Sequence, residues 1–206
     1  MLAAVALTAA ACGSAGVVET PPAAAPPTVV STAPEPVSTS TPDLERRLVA
    51  ATKANEVAEA IALIEAGADV NAQDAIQDSA FLYAGAEGLN DILVATLAHG
   101  ADVHSTNRFG GTALIPAAEH GHTSTVRILL AAGVPVNHVN DPGWTALLEA
   151  IVYGDGSDRY VDVVTQLLAA GADPSIRDAR GLTSLQNAQA RGQHDTVALL
   201  TAADGN

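Results

Sequence analysis

Two short markers recur along this chain at one spacing, and that period constrains the fold more than any other feature. Gly-Ala-Asp begins at Gly67, Gly100 and Gly171, and the related Gly-Val-Pro begins at Gly133, giving steps of 33, 33 and 38 residues. Asp74, Asn107, Asn140 and Asp178 each open a turn of the D/N-x-x-G kind and are separated by the same steps. Two independent markers sharing one period and one five-residue insertion describe a tandem array, in which no single unit can bury its apolar face alone. The insertion falls between Asn140 and Gly171, and Gly154-Asp155-Gly156-Ser157-Asp158 reads as its loop.

Within a period the pattern is turn, helix, helix. Asn107-Arg108-Phe109-Gly110 makes the turn, and Thr112 is placed to cap a short helix through Ala113, Leu114, Ala117 and Ala118. Gly121 stops that helix. Val126, Leu129 and Leu130 then form the apolar stripe of a second helix, which Gly133 ends. The strings G-G-T-A-L-I-P-A-A-E-H-G-H and V-R-I-L-L-A-A-G-V-P-V-N resemble the T-P-L-H, G-H, L-L and G-A-D-V-N landmarks of ankyrin repeats, and the pattern returns from Gly143 and Gly181. The resemblance covers Asp43 to Asn206 and implies an all-α solenoid of about five helix-turn-helix units with β-turn or hairpin fingers. The units run approximately over 43–73, 74–106, 107–139, 140–177 and 178–206.

Three departures carry expectations of their own. The first unit lacks the turn and begins with Thr41 as a cap, Pro42 at the first helical position and Asp43 at the positive helix end, so it reads as an N-terminal capping unit. The last unit closes the array. Gln77 stands where the turn favours Gly, which predicts a strained or reshaped turn, and Pro116 inside a helix predicts one lost backbone hydrogen bond or a bend.

Ahead of the array, Met1 to Cys12 is an uncharged apolar run, as long as a signal-peptide core and too short for the ~20 residues of a spanning helix. The absence of Lys or Arg before it places the true start upstream. Ala9-Ala10-Ala11 before Cys12, with Gly13 and Ser14 after it, resembles the lipobox of bacterial lipoproteins, which implies lipidation at Cys12 as the only membrane attachment. An ordinary cleaved signal with an incidental cysteine is the other reading of these residues. Residues 13–42 hold seven of the eleven prolines and little to bury, which predicts a disordered tether reaching up to ~90 Å.

Composition excludes several functions. The net charge is -14 and Lys53 is the only lysine, so the clustered cations that bind nucleic acid are missing. A single cysteine excludes a disulfide framework and a multi-thiolate metal site within one chain. Removing Glu19 and Glu35 with the leader and tether leaves 21 acidic against 9 basic side chains on the repeats, a net charge of -12. With 48% hydrophobic but only 3% aromatic residues, the core must come from Ala, Leu, Val and Ile.

No nucleophile elbow, Cys-His arrangement or phosphate loop is present, so no catalytic residue is assigned and no cofactor is expected. His120-Gly121-His122, with His104 and His138 in neighbouring turns, is the best metal candidate. Against it, the resemblance gives His122 a loop-bonding role and leaves His120 on an exposed face. Asp155, Asp158 and Asp162 lack the ligand alternation and closing Glu of a calcium loop, and Glu149 is a buried carboxylate candidate among apolar neighbours. The family binds macromolecules on a concave face made by turn tips and first helices. The residues this implies here are Asp78, Arg108, Phe109, Trp144 and Arg180, with Ile76, Pro142 and Leu182, on the turns, and Glu87, His120, Tyr153 and Arg191 at the helix ends. Three of the six aromatic residues, Phe109, Trp144 and Tyr153, fall in that set, where they either bind a partner or stiffen adjacent turns. The expected function is a monomeric, non-catalytic protein-protein interaction scaffold of the cell envelope. The alternative is an envelope ligand- or metal-binding accessory protein assisting a redox or other enzyme through the His cluster.

Overall fold

A computed structural model describes residues 41–204, and they are all helix and turn. The expected export signal, Cys12 and residues 13–40 of the expected tether lie outside these residues. The helices fall into five pairs: α1 Thr41–Lys53 with α2 Val57–Glu65, α3 Ala80–Glu87 with α4 Asn90–Ala98, α5 Leu114–Glu119 with α6 Thr123–Ala131, α7 Ala146–Val152 with α8 Asp158–Ala169, and α9 Ser184–Ala190 with α10 His194–Asp204. The first helices of the pairs pack side by side as an inner row, and the second helices do so as an outer row. This is the expected all-α repeat solenoid, with turns in place of any hairpin strand among the described residues.

The core runs between the rows. Leu114, Leu147 and Ile151 from the inner row meet Ile92, Leu129 and Leu167 from the outer row, all fully buried. Each such side chain contributes roughly 1.5–3 kcal/mol. Alanine faces let the inner helices approach closely. At Gly85 in α3, an added Cβ would stand 2.7 Å from Ala113 Cβ of the next unit, so only glycine fits without shifting the units apart. The core is aliphatic as composition required, apart from the buried Phe81 and Tyr160.

The Asx residue opening each turn closes it with its side chain. Asp74 Oδ1 accepts from the N–H groups of Ile76 and Asp78, Asn107 Oδ1 from Phe109 and Gly111, Asn140 Oδ1 from Trp144, and Asp178 Oδ1 from Arg180 and Leu182. Gln77 keeps the same turn, donating its N–H to the Asp74 carbonyl at φ 62, where the third unit uses Gly110 at φ 68. The turn is therefore strained and not reshaped, since a side chain with a Cβ holds a left-handed conformation.

Two expectations need correction. Ser79, Thr145 and Thr183 cap their helices by accepting from the N–H three residues on, but Thr112 does not cap α5. The reason is Pro116. In the other units the residue at that position donates to the carbonyl of the capping residue, as Tyr83 to Ser79, Glu149 to Thr145 and Asn187 to Thr183. Proline has no N–H to give, so the Thr112 carbonyl takes the Ile115 N–H at 3.1 Å, and Thr112 Oγ1, deprived of that donor, is buried without a hydrogen bond. The insertion also differs from a five-residue loop: Asp158 is already the first residue of α8, and three of the added residues lengthen that helix relative to α6. Tyr160 on its first turn donates its hydroxyl to the Glu119 carbonyl at 2.9 Å, tying the lengthened helix to the preceding unit.

Candidate functional site

A groove of ≈ 420 Å³ opens on the face formed by the turns and inner helices of the second, third and fourth units. Six of the nine residues assigned to partner binding from sequence line it: Asp78, Glu87, Arg108, Phe109, His120 and Tyr153. Phe109 and Tyr153 are 51% and 59% exposed, far more than aromatic side chains in a folded core. Trp144 stands beside the groove, half-buried, with its ring 6.3 Å from that of Tyr153. Trp144 thus packs against Tyr153, while Tyr153 and Phe109 stay more than half exposed.

The remaining two of the nine lie elsewhere. Arg180 is bonded inside the fifth unit to Asp178 Oδ2 at 3.0 Å and Asn187 Oδ1 at 2.7 Å, and Arg191 is exposed after α9. Of the other turn residues, Pro142 lines the groove, Ile76 is 50% exposed outside it, and Leu182 is half-buried.

Arg108 shows how the groove already treats one guanidinium. It lies 4.7 Å from the centre of the Phe109 ring and 3.4 Å from Asp78 Oδ1. Asp78 in turn receives Lys53 Nζ at 2.8 Å, and the same ammonium bonds Asp74 at 2.7 Å and sits 5.4 Å from the Tyr83 ring. Asp74 is held below the usual carboxylate range by its hydrogen bonds from Lys53 and the turn backbone, although desolvation opposes them.

The floor is made by residues that sequence reading did not bring together. Glu149 on α7 is 7% exposed, accepts a hydrogen bond from Asn140 Nδ2 at 2.9 Å, and shares a hydrogen bond with Glu119 on α5. Desolvation, then the Glu119 charge, push its carboxyl up to about 7 from an ordinary 4.5. Pro116 forms the adjoining wall. Glu119 and Glu149 are 30 residues apart, one period less one helical turn, and that offset is the signal by which a repeat sequence reveals pairs across neighbouring inner helices.

The His cluster does not converge. The rings of His120 and His122 are 5.5 Å apart edge to face, His120 Nδ1 meets the Ala86 carbonyl, and His138 Nε2 meets the Gly110 carbonyl at 2.6 Å. Burial first, then the neighbouring His120, lower the basicity of His122. Among the described residues no three His, Cys, Asp or Glu side chains are arranged to hold an ion. A second hollow, of ≈ 490 Å³, lies against α1 and the second turn, but no aromatic residue lines it, and its Lys53 and Asp74 are paired with each other.

A family model described as ankyrin repeats, in three copies, matches residues 80–178. Among solved structures, the chain is similar to an ankyrin repeat domain from Acinetobacter baumannii AYE, at 60% identity and a TM-score of 0.75, covering 76% of this chain and 80% of that one. It is also similar to the ankyrin repeat protein EF0377, at 43% identity and a TM-score of 0.72, covering 75% of this chain and 78% of that one. A search of curated proteins finds no match.

Proposed function

Because the chain belongs to the ankyrin-repeat family, whose members are in general modules of protein-protein interaction, we propose that it is a non-catalytic, monomeric scaffold binding a protein partner through its concave face. One observation carries this reading: the ≈ 420 Å³ groove is bordered by two aromatic side chains more than half exposed, on a surface otherwise poor in aromatic residues. Aromatic residues and arginine bury large areas at small entropic cost, which is why they dominate binding hot spots. The export signal and the lipobox-like sequence ending at Cys12 support a place in the cell envelope, with the repeats held away from the membrane by the Pro-rich tether.

The test is photo-crosslinking in cells, with a photoreactive amino acid placed at Tyr153 or, as a control, at Val94 on α4, which is 52% exposed on the outer row. A discrete adduct in the membrane fraction from position 153, absent from position 94 and suppressed by excess unmodified domain, is the expected result. Equal labelling from both positions would contradict the proposed face.

A further inference from the structure

The groove is unevenly supplied with charge. Its Asp78 side has two cations, Lys53 and Arg108, and the latter already occupies the Phe109 ring. Its other side has a carboxyl pair, Glu119 and Glu149, lining the groove together with the exposed Tyr153, and among the described residues neither acid is in an ion pair. The other two buried acids, both on turns, have their cations: Asp78 has Lys53 and Asp178 has Arg180. One aromatic face and one pair of carboxyls therefore stand together as Phe109 and Asp78 do, with no arginine between them.

We infer that this half of the groove takes an arginine side chain of the bound partner, its guanidinium forked onto the Glu119 and Glu149 carboxyls and its plane lying along Tyr153. Arginine fits better than lysine because its planar fork matches two carboxyl groups, it is weakly hydrated, and it stacks on aromatic rings. The net charge of -12 on the repeats steers such a cation inward. The inference rests on the concave-face reading above and names the chemistry that enters that face.

Charge balance then links binding to protons. Below about pH 7 the free protein keeps a proton on Glu149; the entering guanidinium replaces it, and the proton leaves to solvent. The titratable and charged groups that line the groove with Glu149 are Glu119 and His120 on α5, Tyr83 and Glu87 on α3, Asp78 and Arg108 on the turns, and Tyr153 after α7, while α8 and α9 add none to the lining. With the free Glu149 carboxyl pushed up to about 7, affinity rises about tenfold between pH 6 and pH 8.

Trp144 is the only tryptophan and stands beside Tyr153, so its fluorescence reports the site directly. The probe is an acetylated, amidated Gly-Arg-Gly peptide, compared with the same peptide carrying neutral citrulline in place of arginine. The arginine peptide is expected to change Trp144 emission saturably and about tenfold more tightly at pH 8 than at pH 6, with no response to citrulline. The Glu119→Gln, Glu149→Gln double variant, whose thermal unfolding verifies that it is folded, is expected to lose the response. Equal response to citrulline, no dependence on pH, undiminished binding by the folded double variant, or no saturable response at all would overturn the inference. A Tyr153 crosslink that survives intact in the double variant would overturn it too, while leaving the concave-face reading standing.

Discussion

The fourth and fifth units set the same two side-chain positions against each other and fill them with opposite chemistry. In the fourth, the turn amide of Asn140 donates to the helix carboxyl of Glu149 at 2.9 Å; in the fifth, the helix amide of Asn187 donates to the turn carboxylate of Asp178 at 3.2 Å. The two acids are almost equally buried, at 7% and 5% exposed. Yet Glu149 is pushed up to about 7 and Asp178 is held down at about 2. Burial opposes the charge at both and more strongly at Glu149, and the donors widen the difference. Asp178, on the turn, faces the N–H groups of Arg180 and Leu182 at 2.9 Å and the Arg180 guanidinium at 3.0 Å. A helical residue has no free backbone N–H to turn to, because its neighbours' donors are committed along the helix, and Glu149 meets a second acid, Glu119. A buried acid in this array thus keeps its charge on a turn and its proton on a helix.

The largest effect expected from breaking that comparison is at Glu149. Its native state holds a proton that the unfolded chain releases near 4.5, so stability falls as pH rises from 4.5 to 7 and is level outside that window. Glu149→Gln keeps the acceptor for Asn140 and removes the titration. At pH 8 the variant is expected to be more stable than the parent by about 3 kcal/mol, and its denaturant midpoint to lose most of its dependence on pH between 4.5 and 7. A variant less stable than the parent at pH 8 would contradict the account.

A smaller effect of opposite sign is expected at Asp178. Asp178→Asn retains the turn, as Asn107 and Asn140 do in their units, but leaves Arg180 without its ion pair. The loss at pH 7 is about 1–2 kcal/mol by urea unfolding. Since a lowered carboxyl stabilises above its ordinary 3.8 and loses that contribution as pH falls through 2, the difference between parent and variant is expected to vanish at strongly acid pH.

The array itself was legible because a period needs only recurring residues, and the turns because each opens with an Asp or Asn whose oxygen must find the same N–H groups. The exposed aromatic residues of the groove were legible for a related reason: positions shared by all units map onto one face. Relations between units were harder. Glu119 and Glu149 occupy different positions within their units and meet only because adjacent inner helices are offset by a turn. Thr112 looked like a cap in every local respect, and lost that role to the proline four residues on. Arg180 stands at the turn position of Phe109, two residues after the opening Asp or Asn, and the acid buried beneath it claims its guanidinium. Gln77 kept the turn despite its Cβ because the Asp74 side chain and the Lys53 ion pair hold both strands of that loop.

The central claim is that the groove floor is balanced by a proton where the fifth unit is balanced by a cation. Carboxyl carbon NMR of selectively labelled Glu and Asp in the full chain, followed from pH 2 to pH 9, tests it directly. The account predicts a Glu149 midpoint near 7 and an Asp178 midpoint near 2. Midpoints for both acids close to their ordinary values of 4.5 and 3.8 would contradict it.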